Sequence, residues 1–432
     1  MNDPALVRAV CLFGPVIATA VAAALRPPAK RTIAAAIVAT AWNAVWLPAL
    51  NFLAVQAGWW TFHAEGGTAA GLPVDLLIGW SVLWGALPVV ADGARIPLPL
   101  LVAGLAWLDL AAMPYAEPVV RLGGGWLVGE AVAVTAALVP ALLLARWTQR
   151  ATHLALRAGA QMLLSAVLIL ALPIALVRPH IPGGAAGIAV TVQFLAVPVL
   201  LGVIAVREFA ERGGGTPLPY DPPRRLVTSG PYAYVRNPMQ LSVALSYALL
   251  GLIALDWRLL AAAAMAFAYG AGLADWHEGA GLRDAHGERW TAYRAGVRAW
   301  LPRLRPWSGT PTARLYVSQS CGPCSQFGRW VAHRRPVALE LVPAEHHPRP
   351  LRRMTYETDD GAVRAQGIAA LGRMLGHLHL GWAVLGWLVM VPGVRWFIQL
   401  CVDALGAGPR DIPHTPQAPP PAATTHSAAA TH

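Results

Sequence analysis

The sequence predicts a mainly α fold, a polytopic bundle of about nine membrane-spanning helices followed by a smaller C-terminal α/β domain. Three observations predict it. Of 432 residues, 56% are hydrophobic and only 13% charged, against about 25% charged in ordinary soluble domains. The mean hydropathy is +0.49. The apolar residues gather into runs near ~20 long, the length a helix needs to cross about 30 Å of hydrocarbon. After Pro302, Pro306 and Pro311 the pattern changes to that of a mixed soluble sequence.

The runs cover 5–25, 32–55, 73–91, 97–114, 124–145, 158–177, 186–206, 238–255 and 259–277. In lipid the backbone must satisfy its own hydrogen bonds, so helices are expected, and nothing alternates like a barrel strand. The opening MNDPALVRAV lacks a small-residue cleavage site and reads as a retained first span. With the N-terminus outside, the inner loops hold Arg26, Lys30 and Arg31, then Arg95, then Arg146, Arg150 and Arg157. The next inner loop holds Arg207, Arg212, Arg224, Arg225 and Arg236, whereas the outer loops hold only Arg8, Arg121, Arg178 and Arg258. That bias predicts a cell-membrane protein with its C-terminal segment in the cytoplasm. It also accounts for the formal charge of +11. No stretch interleaves basic and aromatic residues as a nucleic-acid surface would, so no nucleic acid partner is expected.

Residues 1–150 form an N-terminal transmembrane region without a legible role. Its acids, Asp75, Asp109 and Glu130, lie in or near spans, where an ionisable residue is a functional candidate. Asp75 and Asp109 sit near span ends, where snorkelling explains them, and a structural hydrogen bond is the ordinary explanation of the deeper Glu130. Trp59 and Trp60 fit an interfacial aromatic belt.

Residues 151–307 carry the sharpest signal. A polar loop, Tyr220 to Gln240, precedes the last two spans, and a polar segment, Asp275 to Pro302, follows them. The hairpin of two spans therefore returns both polar segments to one cytoplasmic rim, as an enzyme with a cytosolic cofactor and a lipophilic substrate requires. The first segment contains Gly230, Pro231, Tyr232, Tyr234, Arg236, Asn237 and Pro238; the second contains Glu278, Leu282, Gly287, Trp290, Tyr293 and Val297. In order and spacing this resembles the isoprenylcysteine carboxyl methyltransferase and phospholipid methyltransferase superfamily over about 160–305. Gln240 replaces the usual Tyr, Gly279 the second Glu and His286 the usual Phe.

The resemblance implies S-adenosylmethionine as cofactor and a lipophilic or thiol-containing methyl acceptor. Arg236 suits the donor's carboxylate through bidentate bonds. Glu278 would accept from its ammonium or ribose hydroxyls, or orient Arg236. Tyr232 and Tyr234 would offer flat surfaces to adenine or the sulfonium. Asn237, Pro238 and Tyr293 complete the expected cofactor site, and His277 is a candidate base toward the acceptor. An interfacial ion pair is the plain alternative for Arg236 and Glu278, and a polar anchor for His277.

In residues 312–407 a β-like run, ARLYVSQS, leads into Cys321-Gly-Pro-Cys324 and then a helical SQFGRWVAHR. A strand running into a C-x-x-C that opens a helix is the thioredoxin arrangement. The helix N-terminus favours the Cys321 thiolate, making Cys321 the attacking and Cys324 the resolving thiol. VALELVP reads as a second strand, and Asp359-Asp360-Gly361 as a hairpin turn. The segment resembles the small thioredoxin-like thiol–disulfide oxidoreductases named for an Asp-Cys-Cys motif, with Ser318 where the namesake Asp is expected. Zinc is a weaker reading because there is no second C-x-x-C, with only His346 and His347 to complete a site. Cys11 and Cys401 lie in apolar runs and read as packing residues.

Residues 381–402 tempt a tenth span, but Pro392 and Arg395 argue for two helices. Residues 411–432, rich in Pro, Ala and Thr, read as a disordered tail. The sequence thus predicts a membrane methyltransferase joined to a dithiol module that has an exchange partner. An NADPH-dependent lipid reductase and a non-catalytic lipid- or partner-binding protein are the alternatives.

Overall fold

A computed structural model describes residues 3–92, 95–218, 221 and 223–413, without the side chains of 273–278, 280 and 392. Tyr220 and the tail beyond 413 therefore lie outside the described residues. The chain divides into two compact units, 1–227 with 239–269, and 228–238 with 270–432.

Among the described residues, seven helices are long and apolar enough to cross a membrane, or eight if one bent pair counts as a span. These seven are the first seven of the nine expected runs. The other two form Pro238–Ala254, 17 residues or about 25 Å at 1.5 Å per residue, and Trp257–Tyr269, which continues through a π turn at Gly270–Ala274 into the helix Asp275–Gly296. Leu255, at φ 51°, stands in the turn between them. The run at 73–91 forms one span of two helices, Val74–Leu83 and Ala86–Asp92. At the break Gly85 lies so close to the helix Lys30–Gln56 that a Cβ would stand 2.6 Å from Thr40 Cα.

Prolines inside spans leave carbonyls without an N–H partner, and neighbouring elements supply one. The span Trp126–Arg150 widens into a π turn at Val134–Leu138 before Pro140, and Ala136 O, four residues before that proline, accepts Trp42 Nε1 at 3.3 Å. The span Leu154–Val177 repeats the device with a π turn at Ala166–Ala171 before Pro173. Here Ile169 O accepts the Tyr247 hydroxyl. Pro15 stands four residues after Cys11, whose carbonyl lies against Gly79, where a Cβ would come within 2.0 Å.

Charged groups at span ends are paired rather than solvated. Arg8 binds Asp75 at 2.5 Å, and Arg146 binds Asp92 at 2.5 Å and Ile96 O at 2.6 Å. Buried Arg157 pairs with Asp221, which also accepts from Thr216 Oγ1 at 2.9 Å. Two expectations need correction. Asp109 does not snorkel: it is 1% exposed and accepts Trp80 Nε1 at 2.9 Å. Trp60 is buried and donates to Asn51 Oδ1 at 3.0 Å, because the strands Trp60–Phe62 and Val120–Leu122 pair and fold the loop inward.

The second unit contains a four-stranded sheet. Ala313–Val317 is central, parallel to Leu339–Pro343 and antiparallel to Thr355–Thr358, which pairs with Arg364–Gln366. The helix Gly322–His333 links the two parallel strands. The expected Asp-Gly hairpin is present, with Gly361 at φ 67° and its N–H bonded to Thr358 O. Leu315, Val317, Val331, Tyr356 and Met374 form the core. The apolar stretch after 380 is two helices, Leu380–Val389 and Gly393–Ala407, meeting at 90°.

Candidate functional site

The two motif segments meet inside the second unit. Gly230–Ala233 forms one 3-10 turn, and Pro238 starts the next helix, where its missing N–H costs nothing. Between them Arg236 N–H donates to Arg298 O at 2.9 Å and Asn237 N–H to Ala299 O at 3.2 Å. In return Arg303 N–H donates to Tyr234 O at 2.9 Å, and Trp307 N–H to Ala233 O at 2.8 Å. Four backbone bonds thus hold residues 233–237 against 298–307.

The tyrosines have packing roles in this arrangement. Tyr293 hydroxyl donates to Tyr232 O at 2.8 Å, and Tyr293 is 1% exposed. Tyr234 is 0% exposed; its hydroxyl donates to Gly376 O at 3.0 Å and its ring meets Trp387 edge-on at 5.9 Å. Burial pushes both phenols well above the ordinary range, with Arg236 pulling slightly the other way on Tyr293, so both remain neutral donors. The open ring faces expected of Tyr232 and Tyr234 are not available, because each ring is packed by its own unit.

Arg236 sits with its guanidinium carbon 5.8 Å from the Trp290 ring centroid. Trp290 and Tyr293 reach this position because the helix Asp275–Gly296 breaks at Gly287, where φ is 51° and ψ −123°, a conformation that side chains strongly disfavour. The ring of Tyr293 in turn meets Trp307 at 5.3 Å. A cleft of about 470 Å³ lies beside the tie, lined by Gly296, Arg298, Leu301 and Arg303 among others. The side chains of His277 and Glu278 lie outside the described residues.

Cys321 and Cys324 form the second constellation. Cys321 caps the helix Gly322–His333, and the two sulfurs stand 2.7 Å apart. The hydrogen bond from Cys324 and the helix backbone lower the Cys321 thiol, whereas burial and the facing Cys321 push Cys324 up to about 11. The two thiols therefore differ in acidity, Cys321 being the readier to ionise.

Sequence reading missed Glu345. Its Oε1 accepts from Ser318 Oγ at 2.8 Å, Gln319 N at 2.9 Å, and Ser320 N and Oγ at 3.0 Å each. Burial opposes its ionisation, but these bonds, led by Ser320 N–H, prevail and hold the carboxyl at about 2. The residue is remote in sequence, yet the parallel register pairs Val317 with Pro343 and so brings 345 beside 319. Ser318 thus stands at the expected Asp position while a carboxylate arrives from the 3-10 turn Ala344–His346 that follows the adjacent strand. His347, weighed as a zinc ligand, has Nδ1 at 2.7 Å from Arg349 O and Nε2 at 3.4 Å from Glu357.

The two constellations are joined by aromatic rings. Trp330, on the dithiol helix, stacks on Phe327 at 5.7 Å and meets Trp382 edge-on at 5.2 Å. Trp382 and Trp387 share the helix Leu380–Val389, and Trp387 touches Tyr234. No family model, curated protein or solved structure matches the chain.

Proposed function

We propose that this chain is a membrane-embedded methyltransferase that uses S-adenosylmethionine, carrying a thioredoxin-like thiol–disulfide module against its donor-site loop. The observation that carries the reading is the backbone tie of Arg236 to Arg298 and Asn237 to Ala299. It unites the two halves of the motif, with the Arg236 guanidinium near the Trp290 ring. The segment it is tied to, including Arg298 and Arg303, lines a cleft of about 470 Å³, within the range of small-molecule sites. Arg236 fits the donor's carboxylate as a bidentate partner. The buried Tyr232, Tyr234 and Tyr293 do not fit an adenine surface, so their role in this reading is to hold the loop.

The donor supplies an electrophilic methyl carbon on a sulfonium. The chain's contribution is to orient it in line with the acceptor and exclude water, the source of most acceleration in a displacement of this kind. The acceptor is lipophilic or a thiol, the catalytic rim and dithiol module are cytoplasmic, and the N-terminus is outside, as the Arg distribution supports.

Binding of S-adenosylmethionine to the full-length protein in detergent tests this, with Arg236→Ala, Arg236→Lys and Glu278→Ala beside wild type. Saturable binding by wild type, weakened about tenfold or more in Arg236→Ala, is the expected result. A folded wild type that binds no donor overturns the proposal.

The C-terminal sheet and the unequal thiols favour a second activity, dithiol–disulfide exchange with a partner. The parallel–antiparallel strand order with a C-x-x-C helix after the central strand supports a thioredoxin-like fold. Reduction of a model disulfide, abolished in Cys321→Ser, is its test.

A further inference from the structure

The first unit holds a cavity that the proposed chemistry does not use. It measures about 60 Å³ and lies among the helices Lys30–Gln56, Val74–Leu83, Leu98–Ala112 and Trp126–Ala133. Its walls are apolar and aromatic, with Leu50, Leu76, Trp60, Trp80 and Trp84 prominent. Two acids line it, Asp109 at 1% and Glu130 at 4% exposure. Asp109 Oδ1 accepts from Trp80 Nε1, and Glu130 lines the same cavity. Glu130 Oε1 is buried without a hydrogen-bond partner among the described residues.

No cationic side chain among the described residues lines the cavity. Arg8 is bound to Asp75, and Arg146 to Asp92. Asn51 is also engaged, donating to Leu47 O at 2.8 Å and accepting from Trp60. A carboxylate ionised there without a counter-charge in a membrane domain costs several kcal/mol. A bound monocation offsets that cost. A hard metal ion requires about six oxygen ligands, more than two carboxyls and one occupied amide provide. An ammonium needs only acceptors for its N–H groups, and ring faces stabilise it further. The volume matches about two waters at ~30 Å³ each, which suits a primary ammonium with its first carbons and excludes a quaternary one.

We propose that this cavity binds the ammonium end of a small lipophilic amine, held by Glu130 and Asp109 against Trp60, Trp80 and Trp84. The test uses the full chain in nanodiscs, with calorimetry and tryptophan fluorescence. Butylammonium is compared with butan-1-ol, a neutral analogue of the same chain length whose hydroxyl can donate to Glu130. Saturable binding of butylammonium, about tenfold or more tighter than the alcohol, is expected. Tetraethylammonium and sodium should not compete, and Glu130→Gln should weaken binding about tenfold with an unchanged melting temperature. Equal binding of the alcohol, or competition by sodium at equal concentration, overturns the assignment. So does a folded Glu130→Gln protein with wild-type affinity. The wild-type comparison of amine with alcohol decides even where the variant does not fold.

Discussion

The hydroxyl of Tyr234 donates to the carbonyl of Gly376, 142 positions along the chain, while its ring abuts Trp387. The residue that the motif offers as a ligand surface is therefore a tie between the Arg236 loop and the dithiol module. The tie is rigid because the ring is fully buried and the phenol stays protonated.

Tyr234→Phe removes the donor and leaves the Gly376 carbonyl buried without it. A loss of about 1 kcal/mol is expected. Hydrogen exchange should rise about fivefold in 230–238 and 376–380, with little change in the strand Ala313–Val317. Unchanged exchange in both segments counts against a tie of that strength.

The unequal thiols make a kinetic prediction. Alkylation follows the thiolate, so Cys321 should react at a pH below the ordinary thiol range and Cys324 only as pH approaches about 11. Cys324→Ala removes the hydrogen-bond donor and should move the Cys321 profile upward. Mass spectrometry of the alkylated peptides reads both effects; equal profiles for the two thiols contradict them.

Glu345 links acid stability to the Ser318–Cys321 loop. Its folded value of about 2 lies below the ordinary 4.5. Its contribution is therefore fully present above pH 4.5 and lost as pH falls toward 2. Glu345→Gln should cost about 1 kcal/mol near neutral pH, kept small by partial solvent exposure. The difference from wild type should shrink on acidification. The same substitution loosens Ser318 to Ser320, so the Cys321 alkylation profile should broaden or shift; a difference that grows at low pH refutes the sign.

Tyr247 and Pro173 form a compensating pair. Tyr247→Phe deprives Ile169 O of its donor, at a cost of about 1 kcal/mol in a membrane setting. Pro173→Ala restores a backbone N–H, so the double variant should lose less than Tyr247→Phe alone. Thermal unfolding in matched detergent measures the cycle, and strictly additive losses would show that the carbonyl has another partner.

The membrane character, the strand before Cys321, the Asp-Gly hairpin and the break near Pro392 were all legible, because each rests on local composition, turn chemistry or periodicity. The turn between the last two runs falls at Leu255, but that the second helix runs on past the expected span end through a π turn to Gly296 was not legible in hydropathy. The motif residues were recognisable as a set, but their duties were not. Tyr234, expected as a ring surface, and Tyr293, expected in the cofactor site, are buried ties, Tyr232 is buried and accepts through its carbonyl, and Arg236 lies beside Trp290.

By itself the sequence determined where the chain is apolar enough for lipid, where its glycines and prolines interrupt helices, and which thiol opens a helix. The tertiary structure decided what those features meet: Trp42 and Tyr247 at carbonyls four residues before prolines, Glu345 at the Cys321 loop, and Asp109 beside Glu130. The reason is distance along the chain. Propensity and hydropathy act over a few residues, whereas a buried polar atom must be satisfied by whatever packing brings to it.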